Sequence, residues 1–192
     1  MYELAEKALK MAEQAGAEEA EIYYAANHST SVNFKKDALE SAKDRFSEGL
    51  GIRAIVNGAV GFSSTNSVAE LENAVKIAVA EARVRESDPD WVALPSNGKY
   101  PQVSGIFDKK VEALKLEECI GYAVELVEGT KETPGTLPTS GGFTRSKSKR
   151  LILNTNGIEI EEESTAVSGF VDVITVNGDT STAYDFAVSR SL

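Results

Sequence analysis

An α+β fold, made of two similar helix-plus-antiparallel-sheet units, is the class this sequence predicts. Runs with a helical period stand near the head of each half, and runs alternating with a period of two follow them. The second half then repeats features of the first at a nearly constant offset. At 192 residues, 42% hydrophobic and 26% charged, the chain is long enough to bury one good core or two small ones.

Leu4, Ala8, Met11, Ala12 and Ala15 recur at helical spacing, and Gly16 stands where a left-handed C-cap ends such a run. From Glu21 the period shortens. Ile22-Tyr23-Tyr24, Ser31-Val32-Asn33-Phe34, Gly51 to Val56 and Val60-Gly61-Phe62 read as short strands, the last two joined by an Asn57-Gly58 hairpin turn. Ser67 followed by Glu70 predicts a capping box on a helix whose apolar face is Leu71, Ala74, Val75, Ala78, Val79 and Ala82, ending near Arg85. Residues 86–113 hold Pro89, Pro95, Pro101 and Asn97-Gly98 without periodicity, and are expected to form a linker pinned by Trp91 and Leu94. Leu116, Ile120, Ala123, Val124 and Val127 give a further helix stopped near Gly129, followed by strand-rich sequence from about Gly141 to Val188.

The register supports an internal duplication. Val32-Asn33-Phe34 falls 119 positions before Leu151-Ile152-Leu153, and Ile55-Val56-Asn57-Gly58 falls 120 before Thr175-Val176-Asn177-Gly178. The expected organisation is a first α+β unit at 1–85, a linker at 86–113 and a second unit at 114–192. The two Asn-Gly turns are then equivalent hairpin tips.

Charge narrows the function. With 20 Lys/Arg against 30 Asp/Glu the chain carries −10, and no basic stripe with interleaved aromatics offsets it, which argues against nucleic-acid binding. The single Cys119 forbids an intramolecular disulfide framework and suits a reducing compartment, so a cytoplasmic location is expected. Charged residues interrupt Met1 to Ala15, and no apolar run approaches the ~20 residues a membrane span needs.

Residues that carry chemistry are scarce. A catalytic zinc wants three protein ligands, usually at least two of them His, and His28 and Cys119 are the chain's only residues of their kinds. His28, in what reads as an Asn27-His28-Ser29 corner, is expected to be a solvated polar residue, and Cys119 a core residue. Gly49-Leu50-Gly51 and Gly141-Gly142 lack the strand-to-helix context of phosphate loops and read as bulges or strand entries. Arg145, Lys147 and Lys149 share one face of a strand, and Glu159, Glu161 and Glu163 one face of the next. Cross-strand ion pairs explain both runs; a basic groove for an acidic peptide is the functional alternative. No catalytic, cofactor-binding or metal residue is assigned.

Several segments, in this order, resemble the N-terminal domain of the TldD/PmbA family, zinc metallopeptidases also known as modulators of DNA gyrase. They are Ala20 to Tyr24, Gly49 to Arg53 with Gly61 to Ser64, Ser87-Asp88-Pro89-Asp90, Gly141-Gly142-Phe143, Asn154-Thr155-Asn156-Gly157 and Tyr184-Asp185-Phe186. The Asp-Pro linker and the Asn-Gly segment are more similar to the PmbA (TldE) branch. The resemblance implies a longer two-domain protein whose C-terminal half, in the TldD-type subunit, binds zinc through an HExxxH motif. It also implies pairing with a TldD-type partner subunit, or self-association, and proteolysis of peptides or unfolded proteins. This chain is then a non-catalytic N-terminal domain that helps form the substrate chamber and the subunit interface. A free-standing peptide-binding or assembly module with no link to proteolysis is the alternative.

Overall fold

Alanines spaced three to four apart give the first helix, α1 (Tyr2–Gln14), a flat face on which Ala5, Ala8 and Ala12 are fully buried. Gly16, at φ +96°, ends it in the left-handed conformation that a side chain disfavours. This computed structural model describes every residue except Met1, Asn97, Lys99 and Gly178, together with the Asn177 side chain. Three strands follow: β1 (Glu19–Lys35), β2 (Ala38–Val56) and β3 (Ala59–Thr65). Asn57 at φ 50° and Gly58 at φ 72° make the β2–β3 connection a mirror-image hairpin turn, with Val56 facing Ala59. Helices α2 (Leu71–Val84), α3 (Lys109–Ala113) and α4 (Leu116–Lys131) precede β4 (Thr136–Asn154), β5 (Glu159–Asn177) and β6 (Asp179–Ser189). Among the described residues no helix is long and apolar enough to cross a membrane.

The six strands form one sheet in the order β3-β2-β1-β4-β5-β6. The central β1–β4 pair runs antiparallel: Thr155 N–H donates to Ala20 O at one end, and Lys36 N–H donates to Thr139 O at the other. Two separate sheets were expected. β1 and β4, 17 and 19 residues long, instead pair with each other and join all six strands into a single sheet. β5 and β6 pair antiparallel with Asn177 facing Asp179; the expected equivalence of the Asn177-Gly178 and Asn57-Gly58 turns falls on Gly178, which lies outside the described residues.

Compact packing does not follow chain order. One unit comprises Met1–Ala26, Ser47–Gln102 and Lys149–Glu162, and the other Asn27–Phe46, Val103–Ser148 and Glu163–Leu192. They differ from the blocks 1–85 and 114–192 because β1, β2, β4 and β5 each give one end to each unit.

In the first unit α1 and α2 lay Ala8, Ala12, Leu71, Val75 and Val79 on Ile22, Ile52, Leu151 and Leu153. Each such large side chain, fully buried, is worth about 1.5–3 kcal/mol. Gly61 is required here, since a Cβ at that position would collide with the backbone of Ala78 and Ala82. The expected Ser67–Glu70 capping box does not form. Ser67 N–H bonds Thr65 Oγ1 instead, residues 68–70 make a single 3-10 turn, and α2 starts at Leu71. The segment after α2 is pinned at the two expected residues. Glu19 accepts from Trp91 Nε1 (3.1 Å), Leu94 N (2.7 Å) and Asn156 Nδ2 (2.7 Å), and Leu94 is buried. Asn154 Nδ2 donates to Pro95 O (2.8 Å), so the Asn154 to Gly157 motif is a clamp on this strap.

In the second unit Cys119, Ala123 and Val127 of α4, with Val111 of α3, cover Val32, Phe34, Phe143 and Val167. Tyr122 stacks on Phe143 with ring centroids 4.8 Å apart. Gly129 does not stop α4, which continues to Lys131 while Thr130 Oγ1 donates back to Val127 O (2.7 Å).

Candidate functional site

Even-numbered residues of β1 from His28 to Phe34 alternate onto the face that α4 covers, and the polar end of this row is the first notable cluster. His28 is not in a corner, as its neighbours suggested, but within β1. Its Nε2 lies 2.9 and 3.0 Å from the two carboxylate oxygens of Asp44 on β2, and Thr30 Oγ1 donates to the same carboxylate (2.7 Å). These hydrogen bonds, His28's first, hold the Asp44 carboxyl below the ordinary range. Arg145 of β4 comes in from the other side, with Nη1 3.5 Å from His28 Nδ1. The tautomer that fits donates from Nε2 to Asp44 and accepts at Nδ1 from the guanidinium. Phe46 sets its ring edge-on to the imidazole at 6.5 Å.

Arg145 was expected to join a row of cross-strand ion pairs. Lys147 and Lys149 do so: Lys147 Nζ lies 2.5 Å from Glu112 and 3.5 Å from Glu163, and Lys149 Nζ 2.8 Å from Glu161. Arg145 pairs with no carboxylate among the described residues, and turns inward, only 7% exposed. The local pattern cannot reveal this, because its polar neighbour His28 comes from 117 residues away. His28 and Thr30 lie on β1 and Asp44 on β2, the strands that meet at the Lys36-Asp37 turn.

Cys119 is a core residue as expected, fully buried, with burial pushing its thiol up. Gly51 and Gly141 sit inside strands where a Cβ would meet Phe62 and Phe34, so both serve packing. Among the described residues no three His, Cys, Asp or Glu side chains converge to hold a metal. The residues present do not fit a zinc centre: the one imidazole spends Nε2 on Asp44 and turns Nδ1 toward a guanidinium, which repels a cation.

The second notable feature is β6. It is the last strand of the sheet, bonded on one side to β5, and all 11 of its residues are exposed. Tyr184, Phe186 and Val188 alternate onto one face, where Phe186 faces Phe170 of β5. The ring centroids run Phe170 to Tyr184 at 6.4 Å and Tyr184 to Phe186 at 5.8 Å. On the helix side a groove of about 350 Å3 opens among Tyr122, Leu126, Phe143, Val167, Gly169 and Ala187. An unpaired strand edge flanked by apolar side chains is chemically equipped to take up an extended backbone.

Comparison with known proteins assigns the class. Residues 20–82 match the model of PmbA/TldA metallopeptidase domain 1, and residues 109–192 that of the PmbA/TldA metallopeptidase central domain. The chain belongs to the PmbA/TldD family. An uncharacterised protein of Methanocaldococcus jannaschii is 25% identical over 178 residues, which is 92% of this chain and 40% of that protein. The fold is shared with TldE from Thermococcus kodakarensis (TM-score 0.89, 19% identity, 97% of this chain and 43% of that one). It is also shared with a putative modulator of DNA gyrase from Bacteroides thetaiotaomicron (TM-score 0.87, 21% identity, 100% and 45%). The chain spans less than half the length of these relatives.

Proposed function

We propose that this chain is a non-catalytic, polypeptide-receiving domain of a PmbA/TldD-type metallopeptidase, more similar to the PmbA (TldE) branch, that acts in proteolysis of peptides or unfolded proteins. The observation that carries this reading is β6: eleven exposed residues at a sheet edge, with an aromatic row on one face and an apolar groove on the other. Main-chain pairing along such an edge takes any extended sequence, while the aromatic row adds contact area without selecting a single side chain. Zinc chemistry, in this reading, belongs to a TldD-type partner subunit, and this chain contributes to the wall of the substrate chamber and to the subunit interface. Polypeptide binding to the chain alone tests it. A labelled, reduced and carboxymethylated protein should raise fluorescence anisotropy on titration, and Phe186→Lys should weaken that binding about tenfold, the effect of losing one well-placed aromatic contact. No binding, or equal binding by the variant, contradicts the reading.

A further inference from the structure

Side chains of an extended strand alternate between its two faces, so an added strand at the β6 edge is met by two different surfaces. The register assigns them. Asp185 stands opposite Val171, which packs with the α4 cluster, and Ala187 stands opposite Gly169, where a Cβ would lie 3.3 Å from Leu126 of α4. Asp185, Ala187 and Ser189 therefore line the helix side of β6, away from the aromatic row. The groove of about 350 Å3 opens on that side, between α4 and the last residues of β6. Its volume is at the small end of the roughly 300–1,000 Å3 range of ligand pockets. It stays open because bulk is missing at two paired positions: Gly169 has no side chain, and Ala187 has only a methyl at an exposed site of the edge strand. The charge around it has one sign. Glu125 lines the groove with no hydrogen bond or ion pair among the described residues, Asp185 is the next residue on the same face of β6 as Ala187, and no Lys or Arg lines the groove.

We propose that this groove is a side-chain pocket of the β6 edge, selecting extended polypeptides that carry a large apolar residue with Lys or Arg two positions away. The proposal rests on the polypeptide-receiving function proposed above and names the sequences that function prefers. In a strand added outside β6, every second side chain points to the helix side. One of them reaches over the Ala187 methyl into the groove, and the next on that face, two residues along, meets Glu125 or Asp185. Burial of the apolar side chain supplies most of the selectivity, and the exposed carboxylates add a smaller preference that salt screens. The −10 charge of the whole chain favours the same basic partner.

Fluorescence anisotropy with labelled Thr/Ser peptides, holding one central Phe and a Lys two positions from it, reads the selection on the intact chain. Replacing the peptide's Phe by Ala should weaken binding at least ~10-fold. Replacing its Lys by Glu should weaken binding about threefold at low salt and little at high salt. Ala187→Trp, which fills the groove from an exposed position, should erase the preference for Phe while the Ala peptide binds as before, and Glu125→Lys should reverse the preference for Lys over Glu. Methyl NMR of Leu126 reads the groove without the edge: N-acetylphenylalanine amide, too short to add a strand, should shift the Leu126 methyls of the wild type and leave those of Ala187→Trp unmoved. Peptides that bind the wild type equally with Phe or Ala, with Leu126 unmoved by the amide, overturn the pocket while the edge stands. Leu126 methyls that respond to the amide in a chain that binds no peptide overturn the polypeptide reading instead. Selectivity for Phe that survives Ala187→Trp overturns its placement in the groove, and equal binding of the Lys and Glu peptides at low salt overturns the basic half of the motif.

Discussion

Replacing Glu19 by Gln tests whether the strap after α2 is held by a charged clamp. Glu19 receives three hydrogen bonds, from Trp91 Nε1, Leu94 N and Asn156 Nδ2. Gln keeps the shape but has one acceptor oxygen, and it turns an NH2 toward donors. Hydrogen bonds to a buried charge are worth about 1.5–3 kcal/mol each, and Glu19 is only partly buried, so a total loss of about 2–3 kcal/mol is expected at neutral pH. In a chain of this size that lowers Tm by roughly 5–10 °C. The loss should depend on pH in a known direction. Burial pushes the Glu19 carboxyl up, but the bonds from Leu94, Trp91 and Asn156 outweigh it and hold the group below its ordinary value. A carboxyl depressed on folding stabilises the fold above its unfolded pKa, and that stabilisation fades as pH falls through the folded value. Wild type and Glu19→Gln should therefore differ at pH 7 and converge in acid, once pH has fallen below the depressed folded value. Urea unfolding at both pH values measures the gap, and fluorescence of Trp91, the only tryptophan, reports the strap itself. Equal stability at pH 7, or a gap that survives unchanged in acid, refutes the clamp.

Three more outcomes are expected. Gly61→Ala should destabilise the chain by more than ~2 kcal/mol in urea melts, because its Cβ meets the α2 backbone rather than a side chain that can move aside, whereas Gly121→Ala, with open space around its Cβ, should not destabilise. Cys119 should fail to react with a disulfide reagent in the native chain and should titrate as one thiol in denaturant, since it is fully buried and its thiolate is disfavoured; rapid native reaction contradicts the packing of α4. Purified chain should hold no stoichiometric zinc by elemental analysis and should leave casein uncleaved, and chelator-sensitive cleavage would place the chemistry in this chain after all.

Short-range chemistry was legible and long-range pairing was not. The α1 face, its Gly16 stop, the Asn57-Gly58 turn, the apolar face of α2 and the pinning of the strap by Trp91 and Leu94 all follow from period, turn residues and burial. Strand lengths did not. The outer half of β2, from Ala38 to Glu48, is largely polar and exposed on both faces, with Leu39 and Phe46 among the exposed residues, so no apolar alternation announces a strand there. The capping box at Ser67 failed because Thr65 competes for the same N–H, and Gly129 was overrun because a glycine inside a helix costs only about 1 kcal/mol relative to Ala. At the site, the aromatic triplet around Tyr184 and Phe186 was visible as a resemblance, but its exposure was not. Arg145 looked like its alternating neighbours until the register of β1 against β4 turned it onto His28.

The central claim is that the β6 edge takes up an extended polypeptide, and hydrogen exchange of the intact chain, with and without saturating unfolded protein, tests it most directly. Outward amides of β6 have no partner within the sheet and should exchange fast in the free chain, then slow at least ~10-fold when a strand is added. Amides of β3, at the other end of the sheet order, should not respond. Protection spread evenly over both edges, or none at β6 while polypeptide is bound, would contradict the account.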